Sequence, residues 1–119
     1  MMQRIGENLI RLNKVTGCIT ISKRACEIIG LQGNDKVEFF QDEKKPTDWF
    51  ITKTSSGSGF TVRKLTSGPG VAFNNTTSCR RIMDSNGVQE KTIAYRIGAD
   101  PIQEEGMDLF ALITKNPLK

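Results

Sequence analysis

Eight basic side chains, in two groups of four, are the residues of this 119-residue sequence best suited to bind a ligand. The first group is Arg11, Lys14, Lys23 and Arg24, and the second is Arg63, Lys64, Arg80 and Arg81. Guanidinium and ammonium groups bind phosphate through charge and hydrogen bonds. The alternative is an ordinary solvated surface. The formal charge of +4 is spread along the chain without a long basic block, so it does not separate the two interpretations.

Residues suited to catalysis or metal binding are scarce. The sequence has no histidine, the commonest general base and metal ligand at neutral pH. Cys18, Cys26 and Cys79 lie in apolar patterns without a Cys-x-x-Cys pair, so we expect buried free thiols rather than zinc ligands or disulfides. Gly57–Gly59 and Gly68–Gly70 lack the Gly-Lys-Ser/Thr ending of a nucleotide-binding loop. We therefore predict a protein that is not an enzyme and that uses no cofactor and no metal.

The stretch Gly17–Phe40 predicts the elements that position the first basic group. Apolar residues at Ile19 and Ile21 alternate with smaller or polar ones, which indicates a half-buried strand. Ser22 occupies the N-cap position of a short helix, whose apolar residues fall on one face. Gly30 suits the left-handed C-cap that ends this helix. A turn and a second strand complete the stretch.

The flanking segments predict further strands and one domain. Leu9–Val15 alternates apolar and polar residues, as a first strand does, and Trp49–Thr54 has the composition of a strand. A charged loop with a proline, Gln41–Asp48, separates it from the central stretch. At 37% apolar and 25% charged residues, the chain is typical of one globular domain over residues 1–119. Without a membrane-spanning apolar run or a leader, we expect a cytoplasmic protein with no membrane partner.

This central stretch resembles the AbrB/MazE-like group of small bacterial DNA-binding domains, also known as the SpoVT-AbrB or swapped-hairpin barrel type. The matching residues are Gly17, Ile19, Ile21, Ser22, Ile29, Gly30, Leu31, Gly33, Asp35, Val37, Glu38 and Phe39. The resemblance covers about residues 8–54, with Ser22 in place of the commoner proline. It implies a transcriptional regulator whose basic residues near the first strand and the helix start contact DNA phosphates and base edges. Antitoxin-type regulation is a variant of the same interpretation.

Three positions depart from this family pattern. Cys18, Cys26 and Glu27 stand where the DNA-binding members of the family often carry arginine. The departures favour an alternative function, a non-enzymatic protein-interaction or structural barrel module that has lost its DNA contacts. DNA binding is favoured instead if the two groups of basic residues form one continuous surface.

Beyond the flexible joint Ser55–Gly59, the order of elements repeats. The second set consists of strands at Phe60–Leu65, Gly70–Phe73, Lys91–Ile97 and Leu109–Lys115, a helix at Thr76–Met83 and a charged loop at Ala99–Gly106. Gly70–Phe73 corresponds to Cys18–Ile21, and Asn74 and Asn75 occupy the helix-cap region of Ser22. We therefore predict a divergent duplication with halves at about residues 8–54 and 60–115.

The resemblance and the duplication together predict the fold. In the AbrB-like family, two chains interleave their hairpins into one closed barrel. A chain that contains both halves forms either such a homodimer or an internal pseudo-dimer. We predict a mostly β fold, an AbrB-like swapped-hairpin or a double-psi β-barrel, built from two related strand-strand-helix-strand-strand halves with two short helices.

Overall fold

One antiparallel sheet curls into a nearly closed barrel, with two helices packed against its interior. The computed structural model describes residues 8–55, 57–66 and 68–118. The strands are β1 (Leu9–Asn13), β2 (Cys18–Ile21), β3 (Lys36–Gln41), β4 (Trp49–Thr54), β5 (Phe60–Thr61), β6 (Arg63–Lys64), β7 (Val71–Asn74), β8 (Thr92–Ile97), β9 (Ile102–Glu104) and β10 (Met107–Leu118). The helices are α1 (Lys23–Ile29) and α2 (Thr76–Ser85). The predicted class, a mostly β barrel with two helices, is confirmed.

The segment 60–64 links the two ends of the sheet. Its strands follow the order β5-β3-β4-β10-β8-β1-β2-β7-β6, and β9 pairs with β10. The first and last strands of this order, β5 and β6, are separated in the chain only by Val62. Val62 donates its N–H to the Asp35 carbonyl and accepts from the Asn34 N–H, each at 2.8 Å. The strand predicted at 60–65 is therefore two short strands that link β3 to β7.

The hairpins of the two predicted halves alternate around the barrel. Hairpin β1–β2 lies between β8 and β7, and hairpin β3–β4 lies between β5 and β10. In the predicted duplication, β1 corresponds to 60–64, β2 to β7, β3 to β8 and β4 to β10. Replacing each strand by its counterpart gives the same order around the barrel. The register agrees, because the pair Ile19–Phe73 becomes the pair Val71–Ile21 when each residue is replaced by its counterpart. This order supports the predicted duplication, which stays a prediction.

Apolar side chains of strands and helices fill the barrel. The largest fully buried side chains are Tyr95, Ile10, Leu12, Ile19, Ile21, Ile51, Ile82, Met83, Ile93, Ile97, Val37 and Val62. Phe39 and Phe60 stack on Phe73, with ring centroids 6.1 Å and 5.5 Å away. Among the described residues, no helix is long and apolar enough to cross a membrane.

The caps of the two helices form where the sequence places them. The Ser22 hydroxyl accepts from the Ala25 N–H at 3.3 Å, and Gly30 ends α1 with φ of 84°. The Asn75 side chain accepts from the Ser78 N–H at 2.8 Å at the start of α2. These bonds satisfy N–H groups that have no partner inside the helix. The caps fix where each helix begins, directly after the second strand of its half.

The prediction of a charged loop at Ala99–Gly106 is wrong, because the segment contains strand β9. Ile102 pairs with Leu109, and the hairpin turns through Glu105 (φ 51°) and Gly106 (φ 78°). All of β9 is exposed, so it shows no apolar alternation. A two-residue turn of this kind normally begins with Asn or Asp, and glutamate at that position hides the hairpin signal.

Candidate nucleic-acid interface

A row of residues crosses four neighbouring strands and ends in two arginines. Arg11 on β1 lies opposite Thr20 on β2. Thr20 lies opposite Ala72 on β7, and Ala72 lies opposite Arg63 on β6. Directly opposed residues point to the same face of a sheet, and Ile10, next to Arg11, is fully buried. The row therefore lies on the outer face, with one arginine from each predicted half on either side of the β2–β7 boundary.

Among the described residues, no carboxylate forms a salt bridge with either arginine of this row. The Arg63 guanidinium donates to the Asn74 side-chain oxygen at 3.1 Å and to the Ala72 carbonyl at 3.5 Å, which ties it to the sheet. The salt bridge found in the described part of the chain joins Lys53 and Asp35, whose charged atoms lie 3.5 Å apart. Both arginines are exposed to solvent.

At one end of these strands, the structure brings together Lys14 of the first group and Arg80 of the second. The Arg80 Nε donates to the Lys14 carbonyl at 3.3 Å. The Lys14 ammonium donates to the Val88 carbonyl at 3.0 Å, which holds the lysine against the loop after α2. Both side chains line a cavity of about 330 Å³ that also contains Asp84. This end therefore has two cations and one carboxylate.

At the opposite end, Lys23 and Lys64 line one cavity of about 540 Å³, between α1 and the turn that precedes β7. Lys23 belongs to the first basic group and Lys64 to the second, so the two groups meet here as well. Glu27 lines the same cavity, and Arg24 is exposed at the start of α1. Each end of the strands thus has cations from both halves.

Arg81 contacts two residues of the β3–β4 hairpin. Its Cζ lies 5.7 Å from the centre of the Trp49 ring, in a cation–π arrangement. Its Nη2 also donates to the Gln41 side-chain oxygen at 3.4 Å. Arg81 therefore packs toward β3 and β4 and is not part of the arginine row.

Carboxylates are absent from the two stretches that supply all eight basic residues. Residues 8–26 and 49–83 contain no Asp and no Glu. Glu7 precedes the first stretch, and the other twelve carboxylates lie in 27–48 and 84–108, mostly on β3, β9, β10 and their loops. The basic residues themselves are evenly spread along the sequence, so their positions alone do not show this segregation. The gaps between the acidic residues would have revealed the segregation of charge.

The structure shows where Cys26 and Glu27, two of the three predicted departures, lie in α1 and which residues occupy the same helix positions in α2. The fourth residue of each helix is a buried cysteine, Cys26 in α1 and Cys79 in α2. Burial raises the pKa of both thiols, that of Cys79 to about 11, so both stay neutral at physiological pH. The fifth residue is Glu27 in α1 but Arg80 in α2. The second half therefore has a positive charge where the first half has a negative one.

The cysteines and carboxylates of the described residues do not form a metal site. In the part of the chain that the structure describes, no group of three or more His, Cys, Asp and Glu side chains could hold a metal ion. The cysteines Cys18, Cys26 and Cys79 are free thiols, and Cys18 is partly exposed.

Comparison of the chain with protein-family models, with curated proteins and with solved structures found no match.

Proposed function

We propose that this protein binds duplex DNA through the arginine row and acts as a transcriptional regulator. The observation that carries the proposal is the position of Arg11 and Arg63, one from each half, on the outer face of four strands that carry no carboxylate. Lys14 and Arg80 extend the positive charge at one end, and Lys23, Arg24 and Lys64 extend it at the other. Phosphate contacts of this kind supply most of the affinity in non-specific DNA binding.

The spacing of the two arginines suits a duplex. They are three strand positions apart, which places their Cα atoms about 14 Å from each other at about 4.8 Å per strand. The major groove is about 12 Å wide, so the two guanidinium groups reach the phosphates on its two sides. The approximate two-fold relation between the halves also matches the two-fold symmetry of the DNA backbone.

We infer further that the barrel is an internal pseudo-dimer. The alternating hairpins give one chain the interleaved arrangement that the AbrB-like family builds from two, which supports the swapped-hairpin alternative. Because residues 60–64 pair with both β3 and β7, closure of the sheet needs no second chain. A homodimer is therefore not required for folding.

The double substitution Arg11→Gln/Arg63→Gln tests the DNA proposal. Two phosphate contacts are lost, so we expect affinity for a labelled mixed-sequence duplex to fall by roughly tenfold or more at low salt. The slope of log affinity against log salt, from roughly 50 to 200 mM, should become shallower by about 2. Fluorescence anisotropy measures both quantities.

The matched control is Lys44→Gln/Lys45→Gln, which removes the same charge from the exposed β3–β4 loop. It should change the affinity for DNA by less than about twofold, since only the net charge changes. Equal losses for the two variants would reduce the proposal to a general charge effect. No binding by the parent even at low salt would reject it and leave the interaction module as the function.

A further inference from the structure

A groove on the side of the barrel opposite the arginine row has an apolar floor. It has a volume of about 460 Å³ and lies between the β3–β4 hairpin and the β9–β10 hairpin. Phe40 lies opposite Phe50 in the register, so both rings project from the outer face of the sheet. Ile102, 52% exposed, and Met107 extend this floor along the second hairpin. Contiguous apolar surface outside the core is typical of an interaction site.

The rim of the groove is acidic. Asp42, Glu43, Glu104 and Glu105 line it, against one cation, Lys44. Within the described ranges, none of these four carboxylates is in a salt bridge. The negative charge therefore remains available to a partner, and it repels the phosphates of DNA.

The edge of β9 that faces away from β10 is unpaired among the described strands. An extended peptide can add to such an edge through main-chain hydrogen bonds while its side chains enter adjacent pockets. The β9 edge and the groove thus offer backbone and side-chain contacts to the same segment.

We propose that this groove binds an extended segment of a partner protein in which large apolar anchors are flanked by lysine or arginine. The apolar floor accepts the anchors, and the acidic rim pairs with the basic flanks. A second copy of this chain fits less well, because Thr20 and Ala72 lie between its two arginines. The exposed apolar side chain beside Lys14 and Arg80 is a single valine, Val15, which is small for a floor that contains Phe40 and Phe50. The site is separate from the DNA-binding surface, so the protein can bind both partners at once.

The test uses two fluorescently labelled peptides of equal charge. One is Lys-Lys-Phe-Lys-Leu-Lys-Lys, and the other has serine in place of the two apolar residues. The parent protein should bind the first peptide at least roughly tenfold more tightly than the second, since only the first fills the floor. Equal binding of the two peptides, or no binding, would overturn the proposal.

Protein variants localise the binding. Glu43→Gln/Glu104→Gln/Glu105→Asn should weaken binding of the first peptide by roughly tenfold or more, since rim charges are lost while asparagine suits the turn. The control Glu27→Gln/Asp84→Asn/Asp100→Asn removes equal charge elsewhere and should stay within about twofold of the parent. Loss of equal size in the control contradicts the proposal.

Two further measurements separate this inference from its rivals. The groove variant should bind DNA no more weakly than the parent, so a failure of peptide binding is distinguishable from a failure of DNA binding. Sedimentation should show a monomer at the protein concentrations used. Self-association that the groove substitutions abolish would instead make a second copy the occupant.

Discussion

Replacement of Gly17 by alanine is expected to lower the free energy of unfolding by about 3 kcal/mol or more. Gly17 has φ of 77°, and an added Cβ would lie 2.5 Å from the Thr76 hydroxyl and 2.7 Å from the Thr76 backbone nitrogen. The backbone cannot easily move away, because the Gly17 carbonyl accepts from the Asn75 N–H at 2.8 Å. The substitution therefore strains the contact between the β1–β2 hairpin and the start of α2. Urea unfolding followed by Trp49 fluorescence measures the loss.

Gly30→Ala is the control for the backbone conformation alone. Gly30 has φ of 84°, but no atom lies within 4 Å of the Cβ that would be added. The cost should therefore be the left-handed penalty of about 1 to 2 kcal/mol without a clash. Equal losses for the two substitutions would show that the approach to Thr76 contributes nothing.

The second large effect is a loss of stability at alkaline pH. Burial raises the pKa of Cys79 from 9.0 to about 11 and that of Tyr95 from 10.0 to about 12. The unfolded chain releases each proton at the lower pH, so deprotonation favors unfolding. The stability contributed by each group is complete below its unfolded pKa and is lost as pH rises through the folded pKa. We expect a loss of about 3 kcal/mol per group between pH 9 and 12.

Single substitutions separate the two groups. Cys79→Ala should flatten the pH dependence between 9 and 11, and Tyr95→Phe should flatten it between 10 and 12. The buried Tyr95 hydroxyl has no hydrogen-bond partner among the described residues. Tyr95→Phe should therefore also raise the free energy of unfolding at pH 7 by about 1 kcal/mol. Denaturant titrations across this pH range measure both effects, and a lower stability of Tyr95→Phe at pH 7 would contradict them.

Local features of the fold were predictable from the sequence, and distant pairings were not. Ser22 and Gly30 cap α1 through bonds to residues a few positions away, so their types alone indicate the helix ends. The break at Val62 depends on Asn34 and Asp35, which are distant in the chain. Strand β9 was not predicted, because all of its residues are exposed and the alternation of apolar and polar residues that marks a half-buried strand is absent.

For the candidate site, too, the residue types were predictable from the sequence and the spatial contacts were not. Residue type identified all eight basic side chains, but the partner of each depends on the fold. Arg63 and Arg81 are both arginines of the second half, yet Arg63 ends the outer row and Arg81 packs on Trp49. The pairing of Lys14 with Arg80 likewise arises only because α2 starts beside the β1–β2 turn.

The alternation of hairpins has a consequence for synthesis on the ribosome. Hairpin β1–β2 emerges early, but its neighbours β7 and β8 belong to the second half. Until they are made, both outer edges of the hairpin are open and can pair with other nascent chains. Such long-range pairing also slows folding. A ribosome stalled before β5 would therefore hold a chain with two separate hairpins from its first half and no strand joining them.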